Sequence, residues 1–273
     1  MSGDTQQQEE ITPYNPKNKL LKKKDLCFLL KHHGVSQSFN NVDFYRMAFV
    51  HKSYCTRKNE NFLTGNKKCP EDCLALQESS NERLEFLGDS ILGCVVANYL
   101  YERFPDNEEG FLTKIRTRIV NGVMLAQLSE KVGLNKYILI SKQIEDNNGR
   151  NNQHILEDAF EAFIGAIFLD FGDDGFKMAQ DFIVHVIETH IDFTELILAN
   201  YNFKDTLLKY FQHNFSSIPR FVELGVENKN NGKTYTIGIR NGEGLLIGTG
   251  TGSTKKQAEN DAAKSALGYL GQL

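Results

Sequence analysis

Hydrophobic positions recur at helical spacing from about residue 20, most strongly over 81–102, 111–131 and 153–169, with a further helix over 176–190. Together they predict an all-helical block. Beyond residue 201 the period changes: 203–213 reads as a helix, RFVELGVEN, KTYTIGIRN and GLLIGTG alternate as strands, and 254–270 returns to helix. NKNNG and NGEG supply the turns. Val222, Leu224 and Val226 share one strand face, and Tyr235, Ile237 and Ile239 another. Ala258, Ala262 and Ala266 are small enough for the last helix to lie close on the sheet. The order of this second part is α-β-β-β-α.

Residues 1–16 are polar, contain Pro13 and Pro16, and read as a flexible tail. The stretch 55–80, rich in Asn, Lys and Gly, reads as an insertion within a helical domain over 17–190. Residues 191–201 read as a linker to a second domain over 202–273.

With 40% hydrophobic and 24% charged residues, the 273-residue chain lies in the ordinary globular range. No apolar run approaches the ~18 residues of a membrane span, and the polar opening is no secretory signal. These features predict a cytoplasmic protein, or a nuclear one in a eukaryote, with no membrane partner and with its five cysteines as free thiols. Cys27 and Cys94 read as core residues. The net charge of −4 hides a split, because residues 202–273 hold nine Lys and Arg against six Asp and Glu while the rest of the chain is acidic. That asymmetry suits a part that holds cations joined to a part that meets polyanions.

The acidic part has two notable helices. In NERLEFLGDS, Glu82, Glu85 and Asp89 fall within an arc of about 60° on a helical wheel, opposite Leu84, Leu87, Ile91 and Val95. In ILEDAFEAFIGAIFLD, Asp158 and Glu161 are i,i+3 neighbours, and Gly165 lies one turn further along the same face. A small residue there, matched by Gly93 on the first helix, would let the two helices approach and pool their carboxylates. An all-oxygen set suits Mg²⁺ or Mn²⁺. The alternative is two solvated acidic faces. His51, Cys55, Cys69 and Cys73 have a spacing that permits zinc, but it is not a common zinc form, and a plain insertion with free thiols is the stronger reading. Lys255 and Lys256 open the last helix, where the dipole disfavours cations by ~0.3–1 kcal/mol, so they are either placed for an external anion or an ordinary solvated pair.

NERLEFLGDS resembles the signature of ribonuclease III, the double-stranded-RNA endonucleases. AFVHKSY, FPDNEEGFLTKIR and LEDAFEAFIGAIFLD are similar to three further motifs of that family, and the likeness runs over roughly 20–273. It implies a multi-domain protein: an all-α ribonuclease III endonuclease domain followed by an α+β double-stranded-RNA-binding domain. By motif position, Glu85, Asp89, Asp158 and Glu161 would be metal ligands for Mg²⁺, with Mn²⁺ able to substitute, and Glu82 and Glu109 the further acids of the cleavage centre. The implied chemistry is phosphodiester hydrolysis of duplex RNA, leaving 5′-phosphate and 3′-hydroxyl ends, in RNA processing or degradation. Phe86 would plug a partner subunit of a homodimer. Lys255 and Lys256, with Lys264 flanking, would contact phosphates. Leu208 stands where many relatives carry Gln, and the 228–232 loop lacks the usual Pro-x-His, so Lys204, Asn230 and Asn231 are the candidate replacements. The rival function is a non-catalytic protein that binds and sequesters duplex RNA; the presence of all six acids favours the enzyme.

Overall fold

The computed structural model describes residues 12–56, 69–198, 202–229 and 232–272, and it divides into two units, Met1–Leu196 and Ile197–Leu273. Helices α1 (Lys23–His32), α2 (Val42–Ala48), α3 (Glu82–Arg103), α4 (Glu109–Ile119), α5 (Gly122–Val132), α6 (Lys142–Asp146), α7 (Gln153–Asp170) and α8 (Gly175–His190) build the first unit. Its centre is α7, whose Ile155, Leu156, Phe160, Phe163, Ile164 and Ile167 are all buried and which packs against α2, α3, α5 and α8. The Phe163 ring lies 5.4–5.8 Å from the tilted rings of Tyr45, Phe49 and Phe182. Burial of each such ring stabilises the unit by roughly 1.5–3 kcal/mol.

Asparagine side chains set several helix starts. Asn41, Asn121 and Asn152 each accept a hydrogen bond from a backbone N–H in the first turn of α2, α5 and α7. The Asn121 cap also corrects the single helix expected over 111–131: α4 stops at Ile119, and Asn121, accepting from Met124 N–H at 3.0 Å, starts α5.

Two further expectations change. Residues 12–16 do not behave as a tail, because Tyr14 and Asn15 are buried and Asn15 donates to the Ile140 carbonyl at 3.1 Å and to Glu145 at 3.0 Å. A buried amide that satisfies a backbone carbonyl is costly to undock. Cys94 is exposed and Cys27 half-buried, so neither is a core residue. The insertion is tied in at both ends of the segment 57–68, which lies outside the described residues: Thr56 N–H donates to Gln77 O at 2.8 Å, and buried Tyr54 donates to Leu74 O at 2.7 Å. No helix among the described residues is long and apolar enough to cross a membrane.

A short helix, α9 (Phe193–Leu198), occupies the stretch read as a linker. The second unit comprises α10 (Phe203–Phe215), strands β1 (Arg220–Lys229), β2 (Gly232–Arg240) and β3 (Leu246–Gly252), and α11 (Lys255–Tyr269), with the sheet antiparallel in the order β1-β2-β3. Ala258, Ala262 and Ala266 of α11 are fully buried, and a side chain on Gly248 or Gly252 would lie 2.6 Å from the α11 backbone. Small residues on both sides therefore allow the close helix–sheet contact. The strand register departs from simple alternation at a bulge between Glu223 and Gly225, and Leu224 and Val226 are both exposed. The third strand starts at Leu246, two residues later than its pattern predicts, because Asn241 O accepts from Gly244 N–H and its side chain accepts from Leu245 N–H to close the turn.

Candidate active site

α3 and α7 cross at two glycines. A methyl group on Gly88 would collide with the Glu161 carbonyl, and one on Gly165 with the Leu84 carbonyl. Gly165 thus has the expected role, but its partner is Gly88; Gly93 faces open space. The reason is rotational: Gly88 lies on the buried side of α3 between Leu84 and Leu92, one residue from Asp89.

This close approach brings carboxylates of both helices into one field. Glu161 is buried at 7% exposure, and its pKa is pushed up to about 8 by that burial and then by Asp89, Glu157, Glu85 and Asp158. Asp158 is pushed up to about 6, again by burial first and then by Glu85 and Glu157. Glu85 is also raised, by burial, Glu82, Asp89 and Glu157. Five acids therefore repel one another across the helix crossing, with Lys52 and His154 partly offsetting Asp158.

Glu82 is different. It accepts a hydrogen bond from Ser80 at 3.0 Å and another from Lys52 at 3.3 Å, which hold its pKa below the usual carboxylate range. Lys52 projects from a 3-10 turn, 52–54, started by His51, whose ring accepts from Ser53 N–H. Glu109 opens α4, is exposed, and accepts from the Thr113 hydroxyl at 2.7 Å; it is not among the carboxylates that chiefly raise Glu85, Asp158 or Glu161. Phe86 lies beside the acids at 77% exposure. Among the described residues, no three His, Cys, Asp or Glu side chains converge closely enough to hold a metal ion as they stand. Cys69 instead places its sulfur 3.5 Å from the Cys73 carbonyl.

Two residues of this centre escape the motif reading. Glu157, i−4 from Glu161, acts on all three raised carboxylates; a same-face count along its own helix would have found it. Lys52 carries no same-helix signal, because only the fold brings its turn to the start of α3.

In the second unit, Lys255 is paired with Glu223 at 2.7 Å and sits 5.9 Å from the Tyr235 ring. Lys204 is paired with Glu259 at 2.7 Å and lies 4.8 Å from the Phe221 ring. Lys264 is exposed with its ammonium 5.7 Å from the Phe203 ring, Lys256 is exposed, and Leu208 is half-buried. Asn230 and Asn231 lie outside the described residues.

Comparison with known proteins gives two family matches: Ribonuclease-III-like over residues 41–191, and Double-stranded RNA binding motif over 203–270. The chain is 34% identical to Ribonuclease 3 of Borreliella burgdorferi over 240 residues, covering 86% of this chain and 87% of that protein. It is 32% identical to Probable ribonuclease 3 of Acanthamoeba polyphaga mimivirus over 93% of this chain, but spans only 46% of that relative's length. Among solved structures, a nuclease domain of ribonuclease III from Campylobacter jejuni is 31% identical, covering 60% of this chain and 98% of its own, with a TM-score of 0.48.

Proposed function

The chain belongs to the ribonuclease III family of double-stranded-RNA endoribonucleases, and from that premise we propose that the α3–α7 acid centre hydrolyses duplex RNA in a divalent-metal-dependent reaction that leaves 5′-phosphate and 3′-hydroxyl ends. The observation that carries this reading is Glu161, buried beneath four other carboxylates that all raise its pKa. A bound cation would relieve this mutual repulsion, and strongly perturbed carboxylates cluster at functional sites.

The donor set fits the family's metal. Glu85, Asp89, Asp158 and Glu161 offer oxygen only, which suits Mg²⁺ or Mn²⁺. When bound there, the ion supplies an activated hydroxide and offsets charge on the leaving 3′ oxygen. The chain's own residues do the rest. Glu82, kept ionised by Ser80 and Lys52, extends the negative wall of the centre, and Glu157 deepens it. An approaching phosphate strand meets net repulsion unless cations enter with it, so substrate and metal binding are coupled.

The second unit holds the duplex through phosphates and 2′-hydroxyls, the manner of recognition for A-form RNA. Cutting both strands calls for two centres related by symmetry, and exposed Phe86 beside the acids supports a homodimer built through this end of α3. The role is RNA processing or degradation. The test is incubation of the full chain with long duplex RNA in Mg²⁺ and in EDTA. Short duplexes bearing 5′-phosphates, formed only with Mg²⁺, are expected; bound but uncut RNA would establish the sequestering role instead.

A further inference from the structure

After α8 ends, the chain does not simply leave the first unit. The Phe193 ring lies 6.0 Å from the rings of Tyr99 and Phe104, and the Arg103 guanidinium carbon sits 4.5 Å over its face. Arg103 also donates to Glu188 at 2.6 Å, and Tyr99 donates to the same carboxylate. Further along α9, Arg118 donates to the Leu196 carbonyl at 2.7 Å. Asp192 caps the start of α9, accepting from Thr194 N–H at 2.8 Å. All of these partners belong to the first unit.

The anchors lie on helices that also carry catalytic acids: Tyr99 and Arg103 are on α3 with Glu82, Glu85 and Asp89, and Arg118 is on α4 with Glu109. Ten residues of helix separate Asp89 from Tyr99, a rigid span of about 15 Å at 1.5 Å per residue. The point where the chain departs is thus fixed to the cleavage centre by a rigid element.

We propose that α9 is a latch, with Phe193 as its positioning residue, that shortens the connection between the two units and so raises the effective concentration of the duplex-binding unit at the cleavage centre. The inference rests on the two-domain nuclease reading above. With Leu196 held by Arg118 and Asn202 capping α10, only residues 197–201 lie between the fixed points. With the latch open, the last buried anchor is Ile191, and the connection becomes 192–201, twice as long. Effective concentration falls roughly as the −3/2 power of connection length, so doubling the length lowers it about three-fold.

The experiment compares the full-length wild type with Phe193→Ala and with Phe193→Tyr, which keeps the ring. Two measurements are made: steady-state cleavage of a duplex long enough to engage both units, and the rate of cutting after exposed Glu195 by a glutamate-specific protease. Phe193→Ala is expected to speed cutting after Glu195 and to raise KM about three-fold with kcat unchanged, and Phe193→Tyr to restore both. A folding defect would lower the active fraction, and hence kcat, without moving KM. Unchanged protease sensitivity in Phe193→Ala overturns the latch, as does faster proteolysis with an unchanged KM. A wild-type chain that cuts no duplex at all overturns the nuclease reading itself, so the two failures are distinguishable.

Discussion

Gly88 and Gly165 meet backbone to backbone, and their contact sets how near Glu85 and Asp89 stand to Asp158 and Glu161. Neither glycine has the positive φ that only glycine tolerates; they are required because the facing carbonyls of Glu161 and Leu84 leave no room for a methyl group. Gly88→Ala must therefore push α3 from α7, an overpacking cost of roughly 1–3 kcal/mol. We expect a lower unfolding midpoint and cleavage reduced at least ten-fold. Gly93→Ala, made where nothing is near, should leave both unchanged. If Gly88→Ala cuts normally, the crossing does not govern the acid centre.

Glu161→Gln separates chemistry from stability. The folded pKa of Glu161 is raised from 4.5 to about 8, so this group costs stability progressively as pH rises through that window. Removing the charge should stabilise the metal-free protein at pH 8, with about 2–4 °C in Tm per kcal/mol relieved. At the same time cleavage should fall by orders of magnitude while duplex binding survives. Thermal melts in EDTA, read beside a cleavage assay in Mg²⁺, check both halves; a variant less stable than wild type at pH 8 would contradict the repulsion argument.

How legible was this centre in the sequence? Glu85, Asp89, Asp158 and Glu161 stand out because helical period alone fixes which side chains share a face of one helix. Period does not say where two helices cross, so Gly93 is as plausible as Gly88 until the packing is known. The pairing of Lys255 with Glu223 is equally hidden, since it joins the start of α11 to a strand whose alternation is broken at Glu223–Gly225. The break between α4 and α5 was readable, because Asn121-Gly122 is a good cap sequence interrupting an otherwise helical pattern.

Phe86 tests the proposed dimer. At 77% exposure it contributes nothing to its own core, so Phe86→Ala should leave the melting of the isolated subunit unchanged. Burying a Phe in a partner is worth about 1.5–3 kcal/mol, counted twice in a symmetric interface. Sedimentation at micromolar concentration should show the variant shifted toward monomer, with cleavage reduced at low concentration and recovering at high. A dimer of undiminished strength would place the interface elsewhere.

Glu223 restrains Lys255, the lysine proposed to meet a phosphate. Lys255 is exposed, yet its ammonium is held at 2.7 Å by Glu223, so a phosphate must compete with an acid of the same domain. Exposed pairs contribute little to stability, and Glu223→Gln should therefore tighten duplex binding by a few-fold at most, and only at low salt. In a Lys255→Ala background the same change should have a smaller effect. Equal gains in both backgrounds would mean that Glu223 repels RNA directly and does not act through Lys255. Filter binding at several salt concentrations distinguishes these outcomes, and Lys256→Ala should make the slope of log K against log salt shallower by about 0.9 if it contacts one phosphate.

Away from both sites, His33 makes the first unit sensitive to acid. It is buried at 5% exposure at the end of α1, against His32 at 5.0 Å and, on α8, Phe182, His185 and His190 at 6.1–6.2 Å. Its Nδ1 and the Nε2 of His190 are buried without a hydrogen-bond partner. Burial, then His32, His190 and His185, holds the His33 pKa down from 6.5 to about 4, and His190 is lowered too, by burial and by Lys131. The fold thus favours neutral His33. Its contribution is fully present above pH 6.5, where the unfolded chain is also neutral, and is lost as pH falls from 6.5 toward 4, because the unfolded chain takes up the proton first. At 1.36 kcal/mol per pKa unit the loss from this group between pH 7 and pH 5 is about 2 kcal/mol. Urea unfolding of the metal-free protein at pH 7 and pH 5 should show His33→Leu losing about that much less stability than wild type over the interval. Parallel losses in the two proteins would mean that the imidazole takes up its proton without opening the α1–α8 contact.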